Sequence, residues 1–146
     1  MALVAIFTAC ILTGCGKEKD SDDDRSKSKS SPSAVVEKYF KALEEYDKTA
    51  IKKCFYDEHK APSAYKLTQM REARMKWSLK KIENEEVDAG EATVDCVVEV
   101  SMKKNKAKGG MTFILIKDDG KWLITECEPD DDFAEEYLEI LMNAME

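Results

Sequence analysis

The chain has 146 residues with a formal net charge of −7, and 43% of its residues are hydrophobic and 36% charged. This length accommodates one folded domain of ordinary size. The acidic excess argues against a nucleic-acid-binding protein, which needs surplus lysine and arginine to neutralise phosphates. Five cysteines are too few for a disulfide scaffold, and the apolar content excludes a wholly disordered chain.

Residues 2–12 carry no charged side chain. A helix of that length, at about 1.5 Å per residue, is too short to cross a bilayer core of roughly 30 Å, but it suits the apolar region of a secretory signal peptide. The run ends in Leu12-Thr13-Gly14-Cys15, which resembles the lipobox of bacterial lipoproteins. The resemblance implies that residues 1–14 are a signal peptide, cleaved between Gly14 and Cys15, and that the Cys15 thiol carries the lipid. The alternative is an apolar N-terminal helix whose two cysteines are incidental.

Residues 15–30 are interpreted as the lipidated cysteine and a disordered tether, because Ser, Asp, Lys and Glu dominate the segment and cannot offset the entropy of ordering it. The acidic residues after Cys15 resemble the export signal of surface lipoproteins in Bacteroidetes, although they can equally be plain solvating charge. Gly16 favours the outer membrane by the same family analogy. We therefore expect a lipid-anchored protein of the bacterial cell envelope, at the outer membrane, and surface-exposed if the export signal operates.

Helical periodicity dominates the first part of the predicted domain, residues 31–146. Ser31-Pro32 is a typical helix start, with serine as N-cap and proline in the first turn. Apolar side chains then recur at helical spacing, which predicts an amphipathic helix; they are Val35, Val36, Tyr39, Phe40, Leu43 and Tyr46. A short second helix is expected after Asp47, and a third from Pro62 through Tyr65, Leu67 and Met70.

From Trp77 onward the apolar period changes to two, which is typical of half-buried strands. The clearest run is Ala92–Met102, and a weaker one precedes it at Trp77–Asp88. Glycine-containing turns at Lys108-Gly109-Gly110 and Asp118-Asp119-Gly120 are expected to lead into strands 111–116 and 122–127. Turns this tight predict an antiparallel meander. Helices followed by an antiparallel sheet give an α+β fold.

A last helix is predicted after Pro129, with the carboxylates of Asp130–Asp132 at its positive end. It carries an apolar stripe of Phe133, Tyr137, Ile140, Leu141 and Ala144, yet residues 126–146 contain nine acidic residues and no basic one. Leaving each large side chain of the stripe in water forfeits roughly 1.5–3 kcal/mol. We expect the stripe to pack across the sheet or mouth of its own domain; the alternative is a partner protein.

Helices followed by a curved antiparallel meander resemble the nuclear transport factor 2-like, or cystatin-like, fold. More narrowly, residues 31–40, 91–100 and 117–124 resemble a family of bacterial lipoproteins of unknown function built on that fold. The resemblance covers residues 31 to about 128, so the C-terminal helix is an addition. It implies N-terminal helices packed on the sheet. The fold hosts isomerases, dehydratases, transport adaptors and plain binding modules, so it does not define a function.

An isomerase or dehydratase on this fold needs an Asp or His base inside the cone formed by helices and sheet. The one histidine, His59, lies in a polar stretch and is interpreted as solvated, and alternation places Asp95 and Glu99 on the outer side of their strand. No catalytic residue is assigned. No cysteine, histidine or carboxylate spacing predicts a metal site, and no motif predicts a cofactor.

Four aromatic residues are candidates for a pocket or partner surface, with ordinary core packing as the alternative; they are Trp77, Trp122, Phe133 and Tyr137. We expect no disulfide in the domain. Its cysteines, Cys54, Cys96 and Cys127, are odd in number, and if the Trp122 side of its strand is the inner one, parity places Cys96 and Cys127 on opposite faces of the sheet. The favoured hypothesis is a non-catalytic envelope module that binds a protein or a small apolar ligand. The alternative is an isomerase- or dehydratase-like enzyme that uses the same cone.

Overall fold

The computed structural model describes residues 31–144. In that range three α-helices precede a four-stranded sheet and a fourth helix follows it, which confirms the predicted α+β order. The helices are α1 Pro32–Glu44, α2 Lys48–Lys52, α3 Ala64–Glu72 and α4 Asp131–Ala144, with a 3-10 turn at Glu58–Lys60. The strands are β1 Lys76–Asp88, β2 Glu91–Met102, β3 Asn105–Asp118 and β4 Lys121–Pro129.

The first helix begins where the sequence predicts. The Ser31 hydroxyl accepts a hydrogen bond from the Ala34 amide at 3.4 Å, and Pro32 stands in the first turn, where its missing amide hydrogen costs nothing. The predicted stripe is buried from Val35 to Leu43. Burial of this stripe against the sheet, rather than intrinsic helix propensity, stabilises the helix.

The third helix differs from its prediction. Its N-cap is Ser63, whose hydroxyl accepts from the Lys66 amide at 3.1 Å, so the helix begins after Pro62 rather than at it. Leu67 and Met70 are buried as expected, but Tyr65 is 73% exposed. The reason is helical geometry, since Tyr65 lies two residues from Leu67 and therefore on the other side of the helix.

The sheet is antiparallel throughout, in the order β1-β2-β3-β4. In β2 every second side chain from Ala92 to Met102 is buried, which confirms the predicted alternation. The face that these residues share is called the inner face, and α1 packs against it. The turn at Asp119-Gly120 is also where it was predicted, with both residues at positive φ.

The glycine pair Gly109-Gly110 does not form the predicted turn. The chain reverses earlier, at Lys103-Lys104, and both glycines lie inside β3 opposite Val98 and Val97. Helix α4 explains their position. A Cβ on Gly109 would lie 2.5 Å from the Cβ of Phe133, and one on Gly110 would meet the Asp130 carboxylate. The glycines therefore provide space for the start of α4 rather than a turn.

A β-bulge in β4 changes the face of the sheet on which Cys127 lies. Ile114 pairs with Glu126 but Leu115 pairs with Ile124, so Thr125 is the extra residue. Downstream of the bulge, Cys127 pairs with the fully buried Phe113 and shares the inner face with Cys96. The expectation that the two thiols lie on opposite faces is therefore wrong. Both are free thiols, as is Cys54.

The sheet has two ends with different neighbours. At one end are the β1–β2 and β3–β4 turns, and here the Ser33 hydroxyl donates to Glu85 at 2.9 Å, so the chain enters the domain at this entry end. The other end holds the β2–β3 turn, Trp77 and Gly109, and α4 crosses it; we call it the α4 end. Phe133 and Ile140 are buried there, 2% and 4% exposed. The predicted packing of the C-terminal stripe on its own domain is thus confirmed.

Candidate functional site

Three of the four predicted aromatic residues meet at the α4 end. The ring centroids of Trp77 and Tyr137 are 5.3 Å apart, those of Trp77 and Phe133 6.0 Å, and those of Phe133 and Tyr137 6.4 Å. Edge-to-face and offset arrangements at these separations stabilise aromatic pairs beyond the apolar area that they bury. We call these three residues the aromatic cluster.

Two elements position the aromatic cluster. Trp77 projects from the inner face of β1, opposite the buried Val100. Phe133 and Tyr137 are four residues apart on α4 and therefore project from the same side of the helix. Because Gly109 has no side chain, α4 can approach β3 closely enough for Phe133 to reach this end of the inner face.

The aromatic cluster is filled rather than open. Phe133 is 2% exposed, Trp77 and Tyr137 are half-buried, and the Tyr137 hydroxyl lies 4.0 Å from the sulfur of the buried Met75. Burial also raises the pKa of the Tyr137 phenol above its usual value. A ligand could reach Phe133 only if α4 moved away from the sheet, whereas Trp77 and Tyr137 keep part of their surface in solvent.

Trp122 does not join the other three aromatic residues. It lies in β4 beside the Asp119-Gly120 turn, at the entry end, and is 5% exposed. The Lys117 ammonium stands 5.7 Å from the centroid of its ring, in the range of a cation–π contact. Trp122 therefore covers the entry end of the core, and the four residues do not form one pocket.

The interior at the centre of the inner face is lined by aromatic rings and cysteine thiols. Tyr39 is buried with its ring 5.4 Å from that of Phe55 and 5.8 Å from that of Phe113. Burial, and to a smaller extent the facing thiols of Cys127 and Cys54, raise the pKa of the Tyr39 phenol far above its usual value. The phenol therefore stays neutral and cannot serve as a base near pH 7.

The thiols are equally inert. Burial raises the pKa of Cys96 to about 12, with a further contribution from Asp95, and raises that of Cys127 to about 11, aided by Glu126. The Cys96 sulfur also donates to the Met111 carbonyl at 3.3 Å. Because the thiolate is the reactive form of cysteine, these groups lack the character of a nucleophile.

The described part of the chain buries no carboxylate, imidazole or basic side chain in its interior. Among residues 31–144 no Asp, Glu, His, Lys or Arg side chain is buried, and His59 is exposed in the 3-10 turn. Asp95 and Glu99 lie on the outer face, as expected. Asp95 accepts from the Thr112 hydroxyl at 2.7 Å, and Glu99 pairs with Lys80 and Lys106 at 3.5 and 3.9 Å.

Two further properties concern the same range of residues. Within residues 31–144 no group of three or more His, Cys, Asp and Glu residues could hold a metal ion. No helix in this range has the length and apolar character that a membrane crossing requires.

Helix α4 carries an exposed apolar feature that the sequence analysis did not predict. Leu138 and Met142 are 56% and 61% exposed on α4, outside the predicted stripe, and the exposed Glu135 and Glu139 lie beside them. The signal was present in the sequence, because two large apolar residues four apart fall off the stripe that the helix buries. A search for a single stripe does not reveal a second one.

Solved structures show which fold this is. An LEH-like epoxide hydrolase from Mycobacterium tuberculosis is 16% identical over 76% of this chain and 92% of its own, with a TM-score of 0.52. A protein of unknown function from the same organism is 18% identical over 77% and 91%, with a TM-score of 0.55. A protein of unknown function with a cystatin-like fold from Nostoc punctiforme is 14% identical over 68% and 88%, with a TM-score of 0.51.

At these identities the comparisons show the fold alone, which is cystatin-like. No protein-family model matches the chain, and no curated protein sequence matches it.

Proposed function

We propose that the chain is a lipoprotein of the bacterial cell envelope, anchored by a lipid on Cys15, whose domain is a non-catalytic binding module for a protein or a small apolar ligand. The lipobox-like segment that ends at Gly14-Cys15 and the polar tether of residues 15–30 support the anchor. Both lie outside the described residues.

One observation carries the non-catalytic assignment: the interior of the described domain holds apolar side chains and no ionised group. Proton transfer to or from a substrate requires a positioned acid or base whose pKa lies near the working pH. The polar groups that do face the interior, Tyr39 and the thiols, have raised pKa values and stay protonated near pH 7. A binding role makes no such demand, since it requires only complementary surface.

The anchor is tested by replacing Cys15. Cys15→Ala should leave an uncleaved precursor that no longer incorporates labelled palmitate, because no other residue follows the lipobox pattern. Cys10→Ala is the matched control, since it removes a cysteine of the same apolar segment and should leave cleavage and labelling intact. Normal palmitate labelling of the Cys15 variant would refute the anchor.

Membrane location is tested separately, by fractionation and surface proteolysis of intact cells. We expect the chain in the outer-membrane fraction. Loss of the domain to external protease would support surface exposure, and full protection would place the domain on the periplasmic side.

The second candidate function is an enzyme of the isomerase or dehydratase kind. The fold that the chain shares with the LEH-like epoxide hydrolase favours this alternative. The purified protein should be assayed for epoxide opening and for ketone isomerisation, alongside Asp95→Asn and His59→Gln variants. Turnover that either substitution abolishes would overturn the binding-module proposal, whereas rates equal to the uncatalysed background support it.

A further inference from the structure

We propose that Leu138 and Met142, together with Glu135 and Glu139, form a docking surface for a cationic amphipathic segment of a partner protein. We call these four residues the α4 ridge. This inference deepens the proposed binding function and rests on it. The geometry also places the α4 ridge at the end of the domain opposite to the one where the tether enters.

Among residues 31–144 the apolar part of the ridge is left largely uncovered. Leu138 and Met142 are 56% and 61% exposed, whereas Phe133 and Ile140 on the same helix are only 2% and 4% exposed. Residues four apart lie one above the other on a helix, so the two exposed side chains form one continuous strip. Helix α4 is thus apolar on two sides, and its own sheet covers only one of them.

Carboxylates that form no ion pair among residues 31–144 border this strip. Glu135 precedes Leu138 by three residues and Glu139 precedes Met142 by three, so each carboxylate stands one turn from an exposed apolar side chain. Both glutamates are exposed, as are Asp132 and Glu136 on the same helix. The ion pairs within residues 31–144 all involve lysines of β1 or β3 and none involves α4.

The location of the ridge favours a partner over the membrane. The chain enters the domain where Ser33 meets Glu85, beside the β1–β2 turn, whereas α4 crosses the sheet at Gly109 and Trp77. Along β2 the two places are four to six residues apart, because Glu85 pairs with Val94, Gly109 with Val98 and Trp77 with Val100; this is roughly 13–20 Å at about 3.3 Å per residue. The attachment of the tether at the entry end therefore leaves the α4 ridge uncovered and free to meet a partner.

Charge decides between the remaining occupants. A second copy that docked ridge to ridge would bring the same carboxylates of two chains together, and like charges placed opposite each other are destabilising. An anionic lipid surface would repel the ridge for the same reason. A helix or strand with lysine or arginine beside apolar residues would cover Leu138 and Met142 and also neutralise Glu135 and Glu139. Recognition would then combine burial of the partner's apolar side chains on the strip with charge complementarity at its border.

A direct experiment uses the whole lipidated chain in an uncharged detergent and a synthetic Leu/Lys peptide of about 14 residues, or roughly four helical turns. The leucines recur every three or four residues, so that the peptide has one apolar and one cationic face. A second peptide has the same composition in an order that scatters the leucines. Binding is measured by fluorescence anisotropy at about 0.15 M salt, where charges more than about 8 Å apart are screened.

The protein variants distinguish binding at the α4 ridge from non-specific attraction of a cationic peptide to an acidic protein. Leu138→Gln with Met142→Gln removes the apolar strip, and Glu135→Gln with Glu139→Gln removes the charge. Val87→Gln is the matched control, because Val87 is 54% exposed between Glu86 and Asp88 at the entry end. We expect each ridge double variant to weaken peptide binding at least tenfold, about the loss of one strong contact residue, while the Val87 variant stays within about twofold.

The proposal would be overturned if both peptides bound equally well, or if the Val87 variant lost as much peptide affinity as the ridge variants. It would also be overturned if sedimentation in density-matched detergent showed a dimer that the Leu138/Met142 variant abolishes. Circular dichroism establishes that the exposed substitutions leave the fold intact. Palmitate labelling tests the anchor independently, so failure of the ridge and failure of the lipoprotein assignment are distinguishable.

Discussion

Gly109 in β3 lies directly beneath Phe133 in α4, and a Cβ on the glycine would stand only 2.5 Å from the Cβ of the phenylalanine. Real side-chain carbons are never that close, so the helix can occupy its place only because residue 109 is glycine. This contact joins the last helix to the sheet and closes the α4 end of the core around Trp77 and Tyr137.

Replacing Gly109 with alanine should therefore displace α4. We expect Gly109→Ala to lower the free energy of unfolding by about 1–3 kcal/mol, the usual cost of overpacking. Gly90→Ala is the control, since a Cβ there meets nothing within 4 Å and both changes stiffen the unfolded chain equally. Urea unfolding followed by tryptophan fluorescence measures the free energy of unfolding of both variants. Equal values would show that the position of α4 does not require a glycine at residue 109.

The two sides of α4 should respond differently to truncation of a side chain. Phe133→Ala removes a ring that is 2% exposed and should cost about 3–5 kcal/mol. Leu138→Ala, on the exposed side, should change stability by no more than about 0.5 kcal/mol. Thermal unfolding by circular dichroism tests both. A comparable loss in the Leu138 variant would show that the α4 ridge is covered by the domain itself.

The buried thiols predict a loss of stability at alkaline pH. The pKa of Cys96 is raised to about 12 in the fold, whereas a thiol of the unfolded chain titrates near 8.5. The fold thus retains a proton that the unfolded chain releases, so this contribution is complete below about pH 8.5 and declines as the pH rises towards 12. Between pH 8 and 11 the urea midpoint of the wild type should fall more steeply than that of Cys96→Ala. Parallel profiles would mean that Cys96 is not buried in this way.

No disulfide should form among Cys54, Cys96 and Cys127. Although Cys96 and Cys127 share the inner face, β3 separates their strands, so their Cα atoms are at least about 9–10 Å apart, beyond the roughly 7 Å that a disulfide tolerates. After treatment with a mild oxidant and unfolding in an alkylating agent, mass spectrometry should find all three thiols modified. A bridged peptide that contains both Cys96 and Cys127 would be incompatible with this register.

The sequence alone determined the features that depend on near neighbours. Ser31 and Pro32 mark the start of α1 because capping involves residues three apart. The alternation in β2 is visible because one buried face imposes a period of two on a single strand. The stripe of α4 could be predicted to pack on its own domain because exposing it is costly.

Only the tertiary structure decided the features that depend on residues distant in sequence. A glycine pair is compatible with a turn or with a close approach between elements, and Gly109-Gly110 takes the second role because Asp130 and Phe133, at least 20 residues away, pack over it. The bulge at Thr125 moved Cys127 to the inner face, since one extra residue reverses the parity of every side chain after it. Likewise, the sequence predicted that the Phe133 stripe of α4 packs on its own domain, but only the tertiary structure shows that Leu138 and Met142 on the same helix stay in solvent.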